Sequence, residues 1–482
     1  MGWGDGREVD EVLEELRRYA ADDLDESQGR SFGYAYQAGE SAKRLGAQAY
    51  VQFLGKNGLD PTLFPSLLRL ENELVGIVRH RLHGDADVVG SFTSGGTESV
   101  MLAVHAAIAH VRRHRSIAGT PEIVLPETAH AAFHKAADYF GATVRLVSVD
   151  PATLTADVEA MGAAINANTA LLVGSAPSYP HGVIDPIPAL AALAEERDLW
   201  LHVDACIGGW LLGYLAETDP TIPSFDFRLA GVRSISVDLH KYGYCPKGAS
   251  VVLYRDQLLR RGQYFACASW PGYAVLNPTI QGSKSGGPLA AAWAVLQHIG
   301  DAGYRRLARE VRAATERIIA GIERTPGLRL LGDPRMSLVA FTADDLDLFE
   351  LVDDLNERGW YVMAQLGSRC APASAHLTVT PANASHAERF VAELQEVAAD
   401  VARRPANPLL TMLHHAASGL DPSALDAATF NQMLELVGVR DGQLPTRMAL
   451  VNHVLEALPT DAREAILLTF FSGAFRPRFE EA

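Results

Sequence analysis

The stretch SISVDLHKYGYCPKGASVVLY, residues 234–254, decides the fold. Two short apolar runs, 234–238 and 250–254, flank a polar and aromatic segment, which is typical of two buried strands joined by a loop. The loop is too short for a helical crossover, so we expect this pair to depart from a parallel arrangement. Lys241 follows the first run directly, close to the end of a strand.

Working outward from this stretch, four more short apolar runs precede it, and helical segments separate several of them. The predicted strands are EIVL (122–125), VRLVSV (144–149), ALLVGS (170–175) and LWLHVD (199–204), and the predicted helices are 96–113, 129–140, 154–165 and 186–197. Nearly continuous apolar strands joined by helices predict an α/β fold with a mostly parallel sheet between layers of helices.

The pattern divides the 482 residues into four expected regions, since the length suggests more than one domain. We expect an N-terminal segment of helices and loops that contributes to a dimer and to the substrate site (1–90), a large domain (91–325), a smaller α/β domain (326–404) and an extra helical tail (405–482). The segment ARRPANP, residues 402–408, is the expected linker to the tail.

Composition excludes several classes of partner. The net charge of −16 argues against nucleic acid or anionic membranes as partners. No apolar run is long enough for a transmembrane segment, and the charged N-terminus does not resemble a signal peptide. The four cysteines form no C-x-x-C pair, so we expect a reduced, cytoplasmic protein with neither a disulfide nor a bound metal.

A glycine pair stands at the start of the predicted helix 96–113, in the motif Ser94-Gly95-Gly96-Thr97. Glycines let the backbone approach an anion closely, and a helix N-terminus offers free N–H groups. The motif therefore fits a phosphate cradle, but it fits a tight turn that caps the helix equally well.

Three more side chains stand at the ends of predicted elements: Asp204 ends a strand, His130 begins a helix and Lys241 follows a strand. Taken singly, each has a structural interpretation as a helix cap, a helix-end residue or a surface lysine. In this order on one sheet, together with the glycine pair, they are the anchor points of a pyridoxal phosphate. The apolar and aromatic neighbours of Lys241 predict a lowered pKa, which favours the neutral amine needed for imine formation.

These motifs resemble those of the fold-type I, group II pyridoxal-phosphate-dependent decarboxylases and, among them, the sphingosine-1-phosphate lyases. The matching blocks include TSGGTES (93–99), TAHAAFHKAADYFG (128–141), GSAPSYPHGVIDPI (174–187), HVDACIGGW (202–210), the opening stretch and GSKSGG (282–287). The resemblance implies a transferase-like fold, pyridoxal 5′-phosphate as the cofactor, a small amino compound as the substrate, and a homodimer with shared active sites.

The resemblance also implies roles for single residues. The expected catalytic residues are Lys241 as the Schiff base, Asp204 at the pyridine nitrogen, His130 stacked on the ring, and Tyr36. The cofactor phosphate is expected to contact Gly95, Gly96, Thr97 and His240, with Gly282 and Ser283 from the neighbouring subunit, while Ser175 lies near the ring hydroxyl.

On the substrate side, the resemblance places Tyr36, Asn57, Asp60 and Lys247. Asp60 departs from the family pattern, because the lyases have a histidine there, close to the substrate phosphate. A carboxylate facing a phosphate is repulsive, so this position bears on which substrate is accepted.

Three functions are compatible with these residues. The first is a lyase that breaks the Cα–Cβ bond of a phosphorylated or otherwise anionic β-hydroxy amine, giving an aldehyde and an amine. The second is an L-amino-acid decarboxylase that releases CO₂, which Asp60 favours. The third, a regulator without turnover, conflicts with the complete set of Lys241, Asp204 and His130. The proton carrier is either Lys241 or a water near Tyr36 or His130.

Overall fold

The computed structural model describes residues 6–115, 117, 119–405, 407, 410 and 445–475. Three helices precede the large sheet: α1 (Val9–Tyr19), α2 (Glu40–Gln52) and α3 (Pro65–Arg81). The sheet contains β1 (Val89–Thr93), β2 (Glu122–Pro126), β3 (Thr143–Val147), β4 (Thr169–Ser175), β5 (Trp200–Asp204), β6 (Val232–Val237) and β7 (Ser250–Tyr254). The helices that accompany it are α4 (Gly96–His114), α5 (Ala132–Phe140), α6 (Val158–Ala164), α7 (Ile187–Glu196), α8 (Leu212–Leu215) and α9 (Gln257–Arg260).

The large sheet has the strand order β1-β7-β6-β5-β4-β2-β3. Strands β2 to β6 pair in parallel, whereas β7 runs antiparallel to both β6 and β1. The predicted α/β fold with a mostly parallel sheet is therefore confirmed, and β6 and β7 are the expected exception. Strand β1 was not predicted, because its sequence VGSFT carries no continuous apolar run.

A small hairpin and a long helical segment lead from the large sheet to a second one. They are β8 (Phe265–Cys267), β9 (Val275–Asn277) and α10 (Gly286–Glu323), which is interrupted at Gly300. The second sheet contains β10 (Leu328–Leu331), β11 (Leu338–Ala343), β12 (Met363–Gln365) and β13 (Ser374–Thr378), accompanied by α11 (Leu348–Glu357), α12 (Pro381–Ala384) and α13 (Ala387–Ala402). All its strand pairs are antiparallel, in the order β10-β11-β13-β12.

The described part of the tail docks on the second sheet's helix α11. It forms α14 (Ala449–Ala457) and α15 (Thr460–Ala474). The carboxylate of Asp353 accepts hydrogen bonds from the N–H groups of Met448, at 3.0 Å, and Ala449, at 2.7 Å, so it caps α14. Residues 411–444 of the expected helical tail lie outside the described residues. Among the helices that are described, none has the length and apolar character needed to cross a bilayer.

Candidate active site

A cavity of about 360 Å³ opens at the carboxyl ends of the central parallel strands. Ligands of open α/β sheets bind at this edge, because the loops after the strands converge there. The lining brings together these predicted residues from distant parts of the sequence: Gly95, Gly96, Thr97, His130, Asp204, His240 and Lys241. The loops that follow β1, β5 and β6 thus meet at one place, as their order along the chain predicted.

Lys241 forms an ion pair at the floor of this cavity. Its Nζ lies 2.9 Å from Oδ2 of Asp238, which is almost fully buried. Burial alone would lower the pKa of Lys241, but the carboxylate of Asp238 outweighs it, so the pKa is raised above its ordinary value. The predicted lowering of this pKa is wrong, because the apolar sequence neighbours suggested burial and gave no sign of the paired carboxylate.

The glycine pair begins helix α4 at the cavity wall. A Cβ atom on Gly96 would lie 2.6 Å from Oδ2 of Asp238 and 3.0 Å from Sγ of Cys206, so no larger residue fits there. The helix N-terminus therefore approaches the ion pair closely, with its first N–H groups available to an anion. Glu98 stabilises the turn, since its Oε2 accepts hydrogen bonds from the N–H of Ser94, at 2.6 Å, and from its hydroxyl, at 2.7 Å.

Asp204 ends β5 with its carboxylate lining the cavity. Its Oδ1 accepts a hydrogen bond from the N–H of Cys206 at 3.1 Å and a longer one from the hydroxyl of Ser236 at 3.4 Å. Ser175 pairs with Asp204 in the register of β4 and β5, and its buried Oγ has no partner. Ser175 does not belong to the cavity lining, although it lies directly beside a residue that does.

His130 precedes α5 and lines the cavity. Its Nδ1 accepts the N–H of Ala132 at 3.1 Å, which places the ring proton of the neutral form on Nε2. The ring meets that of Tyr179 edge to face, with 6.4 Å between centroids.

A second cavity, of about 300 Å³, adjoins the first, since His240 lines both. Tyr36 and Lys247 line it, with the Lys247 ammonium 5.1 Å from the centre of the Tyr36 ring. Burial raises the pKa of Tyr36, and the nearby Lys241 lowers it in part. Burial also lowers the pKa of Lys247, whose Nζ donates a hydrogen bond to the carbonyl of Tyr34 at 2.9 Å.

The other predicted residues lie elsewhere within one chain. Asn57, Asp60, Gly282 and Ser283 do not line the Lys241 cavity. Asp60 lines a separate groove of about 620 Å³, the outer groove, which is formed by residues 58–61, 64, 67–68, 71, 273–278, 284–285 and 289. Its Oδ1 accepts hydrogen bonds from the N–H of Thr62 at 2.8 Å and from its hydroxyl at 2.6 Å.

The other three lie beside this groove. The side-chain oxygen of Asn57 accepts the N–H of Leu59 at 3.1 Å, and Asn57 pairs with Ser285 in an isolated bridge. A Cβ on Gly282 would approach Asn277 and Leu59 no closer than 3.9 Å.

Asp238 and Tyr179 are among the residues of the Lys241 cavity that have no counterpart in the sequence-based prediction. Asp238 pairs with Lys241, and Tyr179 stacks on His376 with 4.6 Å between ring centroids. The position of Asp238 at a strand end could have marked it as a residue of the cavity, although it did not reveal the contact with Lys241. Tyr179 carried no comparable signal, because its loop reaches the cavity only through the tertiary fold.

The cavity fits a pyridoxal phosphate in its donor set. It offers a partly buried amine, a strand-end carboxylate, an imidazole and a glycine-walled helix N-terminus. Oδ1 of Asp238 and Oγ of Ser175 are buried polar atoms that have no partner among the described residues, as expected beside a polar ligand. No cluster of three or more metal-binding side chains occurs among the described residues. Fold and site together define a fold-type I pyridoxal-phosphate enzyme.

The chain belongs to the pyridoxal-dependent decarboxylase family. The family model "Pyridoxal-dependent decarboxylase conserved domain" matches residues 4–344. A second model, "Pyridoxal-dependent enzyme, C-terminal putative HTH domain", matches residues 411–473, which covers most of the tail.

Similar proteins narrow the class. The sphingosine-1-phosphate lyase of Dictyostelium discoideum is 39% identical over 394 residues, covering 81% of this chain and 72% of its own. The structure of the sphingosine-1-phosphate lyase of Burkholderia pseudomallei has a TM-score of 0.79 at 38% identity, covering 90% of this chain and 96% of its own. A "Probable L-tyrosine/L-aspartate decarboxylase" of Methanothermobacter thermautotrophicus is 34% identical, covering 74% of this chain and 95% of its own.

The predicted family, cofactor and enzyme class are therefore confirmed. The chain is a pyridoxal-phosphate-dependent carbon–carbon lyase, and decarboxylation of amino acids has the weaker support.

Proposed function

We propose that this enzyme cleaves the Cα–Cβ bond of a phosphorylated or otherwise anionic β-hydroxy amine by a retro-aldol reaction. The products are an aldehyde and a smaller amine that keeps the anionic group. The observation that carries the proposal is the cavity of Tyr36 and Lys247, which adjoins the cavity of Lys241 through His240. Two lysines, Lys43 and Lys247, and one carboxylate, Glu26, line it, so its charge favours an anion. The sphingosine-1-phosphate lyases to which the chain is similar support the same reaction.

The cofactor supplies an electron sink for the bond that breaks. In our proposal, Asp204 receives the ring N–H, His130 packs on the ring face, and Lys241 anchors the cofactor by its Nζ. The phosphate group is held by the N–H groups at the start of α4, around Gly96, together with His240. Ser175 completes the set beside the ring hydroxyl.

Tyr36 and Lys247 are assigned to the substrate. Because burial raises the pKa of Tyr36, its hydroxyl keeps its proton at neutral pH and acts as a hydrogen-bond donor. The Lys247 ammonium supplies a charge for the substrate anion. Lys241 lines the cofactor cavity and acts electrostatically on Tyr36 in the adjoining one, so we assign it the transfer of protons at the substrate.

Product analysis tests the reaction. Purified holoenzyme is incubated with sphingosine-1-phosphate, a short-chain β-hydroxy amine phosphate, and a panel of L-amino acids. We expect a trapped aldehyde and a phosphorylated amine in equal amounts from the phosphates, and no CO₂ from the amino acids. Release of CO₂ without an aldehyde would establish the decarboxylase function instead.

We also propose that the enzyme is a homodimer with shared active sites. Gly282 and Ser283 lie outside the cavity of their own chain, as residues that serve a partner would. Large apolar side chains are exposed around the outer groove, namely Leu59, Leu63, Leu68, Tyr273, Leu276 and Ile280. Such a surface suits coverage by a second copy.

Mixing two inactive variants tests the shared site. Lys241→Ala removes the anchor lysine, and Gly282→Trp blocks the loop offered to the partner. After joint refolding, a heterodimer has one site with both elements intact, so about a quarter of the wild-type activity returns. Activity that stays at the background level in the mixture, with dimers shown by light scattering, contradicts shared sites.

A reducing, cytoplasmic location is part of the proposal. All four cysteines are free thiols, and Cys206 and Cys245 are buried. Free, buried thiols are typical of proteins kept in a reducing compartment.

A further inference from the structure

A row of hydrogen-bonding side chains crosses the buried sheet beside Asp204. Strand β5 presents Trp200, His202 and Asp204 at alternate positions, and the facing positions of β6 are Ser234 and Ser236. His202 is paired with Ser234 and Asp204 with Ser236 in the register of the two strands. Alternate residues share one face of a sheet, so these side chains form a ladder within an otherwise apolar layer.

The ladder is continuous by distance. Nε1 of Trp200 donates to Oγ of Ser234 at 2.7 Å, and that oxygen lies 2.8 Å from Nδ1 of His202. Nε2 of His202 lies 3.2 Å from Oγ of Ser236, which donates to Oδ1 of Asp204 at 3.4 Å. This chain of hydrogen bonds leads to Asp204 through four residues, which we call the relay: Trp200, Ser234, His202 and Ser236.

The chemistry of its first member fixes the direction of the relay. An indole N–H can only donate, so the single hydroxyl proton of Ser234 is left for Nδ1 of His202. The neutral imidazole then carries its proton on Nε2 and donates it to Ser236. Burial lowers the pKa of His202 to about 4, so the ring is neutral at neutral pH. The thiol of Cys206 also donates to Oγ of Ser236, at 3.3 Å, so the hydroxyl proton of Ser236 is directed to Asp204.

Burying the polar side chains of the relay is energetically unfavourable, which indicates that they have a role at the Asp204 carboxylate. His202, Ser234 and Ser236 are fully buried, and apolar residues at these positions would pack a sheet without any polar group to satisfy. Both hydrogen bonds found on the Asp204 side chain in the described residues fall on Oδ1. Oδ2 is left for a group in the cavity.

We propose that the relay positions the Asp204 carboxylate, engaging Oδ1 from behind so that Oδ2 meets the protonated ring nitrogen of the cofactor. Its members do not touch the cofactor and act only through Asp204. The proposal rests on the assignment of Asp204 to the ring nitrogen, which is part of the proposed function.

Two cofactors separate this role from a merely structural one. The apo forms of wild type and Ser236→Ala are titrated with pyridoxal 5′-phosphate and with its 1-deaza analogue, in which C–H replaces the ring nitrogen. Loss of one hydrogen bond to a carboxylate weakens binding of the natural cofactor roughly fivefold. The analogue has no ring N–H, so its affinity stays within about twofold of wild type. Equal loss with both cofactors would make the relay a packing feature and overturn the proposal.

Three further variants complete the design. His202→Leu breaks the relay one step earlier, and we expect the same discrimination between the two cofactors. Thr315→Val removes a buried hydroxyl whose one hydrogen bond in the described residues goes to the carbonyl of Val311, and neither affinity should change. Asp204→Asn tests the underlying assignment: if it leaves the preference for the natural cofactor intact, the ring-nitrogen partner is wrong, whatever the relay does.

The wild-type protein provides a test that needs no variant. In ¹⁵N-histidine-labelled holoenzyme, the His202 signals should be those of a neutral ring protonated at Nε2, without titration between pH 6 and 9. A ring protonated at Nδ1 would reverse the direction of the relay and refute it. This measurement stands even if His202→Leu does not fold.

Discussion

The cavity around Lys241 and the outer groove around Asp60 are built in opposite ways. The cavity lies at the strand ends of one sheet, and its carboxylates Asp204 and Asp238 are buried, with Asp238 paired to Lys241. The groove lies between the start of α3, the β8–β9 hairpin and the start of α10, and several of its apolar side chains are exposed. The hydrogen bonds of the Asp60 side chain found in the described residues stay within its own turn. One chain thus builds the cofactor site from its own residues. The outer groove lies next to it, and the roles predicted for the residues there require a substrate or a second subunit.

The two regions therefore differ in how they tolerate substitution. The residues of the cavity constrain one another, since a change at Gly96 meets Asp238 and a change at Asp238 releases Lys241. Around the outer groove, Glu71 and Lys284 also constrain each other through an ion pair of 2.8 Å. Asp60 and Gly282 have no such partner among the described residues, so substitution at these two positions changes specificity or assembly without dismantling the cofactor site. The following predictions test this contrast.

The largest effect is expected at the anchor lysine. Lys241→Ala should abolish the absorption band of the bound cofactor and reduce activity by more than about a thousandfold. Lys247→Ala, a lysine six residues away on the substrate side, should keep the band and raise KM for anionic substrates. Reduction with borohydride followed by peptide mapping should place the cofactor on Lys241, and a label found on Lys247 would contradict the assignment.

Two glycine substitutions give the next largest difference. Gly96→Ala places a Cβ 2.6 Å from a carboxylate oxygen of Asp238, so cofactor affinity should fall by roughly a hundredfold or more. Gly282→Ala meets no atom within 3.9 Å in its own chain and should leave the thermal unfolding of the apo form unchanged. Any loss of cofactor in Gly282→Ala then arises through the second subunit, and equal losses in the two variants would remove the contrast.

The ion pair at the cavity floor predicts a pH dependence. Because Asp238 raises the pKa of Lys241, the charged amine predominates at neutral pH, and its neutral fraction grows as the pH rises. Cofactor uptake by apoenzyme should therefore accelerate with pH. In Asp238→Asn the strongest influence that opposes burial is removed from the amine, so uptake at pH 7 should be roughly tenfold faster and less dependent on pH. Stopped-flow absorbance measures both, and an unchanged pH profile would exclude this role of Asp238.

The cofactor side was predictable because it follows from strand order. The carboxyl ends of parallel strands meet at one edge, so Asp204 after β5 and Lys241 after β6 had to converge. The glycine pair was placed with them because a helix N-terminus suits the cofactor phosphate. The antiparallel pairing of β6 and β7 followed from the short loop between them. Strand β1 was not predicted, because its sequence VGSFT has no continuous apolar run. It is buried mainly by its neighbours in the fold.

The interactions between charged and polar side chains could not be predicted from the sequence. The pKa of Lys241 depends on a 2.9 Å contact to Asp238, and no periodicity encodes such a distance. The relay behind Asp204 depends likewise on the register of β5 against β6, which places Ser236 opposite Asp204. Residues around the outer groove were found only by resemblance, because their partners lie outside the sheet that organises the cavity.

The smallest effect is expected at Asp60, which lies in the outer groove but is predicted to influence the substrate. Its Oδ1 is held by Thr62, and these hydrogen bonds lower its pKa, so it is a fixed negative charge on an exposed turn. If that charge repels the substrate anion, Asp60→Asn should lower KM for a phosphorylated amine about threefold while keeping the turn, and Asp60→His about fivefold.

Salt is the internal control. Because salt screens charges, 0.5 M NaCl should reduce the improvement in KM that both variants show. A KM that is unchanged in Asp60→Asn shows that the carboxylate serves only the turn. In that case specificity resides at Tyr36 and Lys247, inside the part of the site that one chain builds alone.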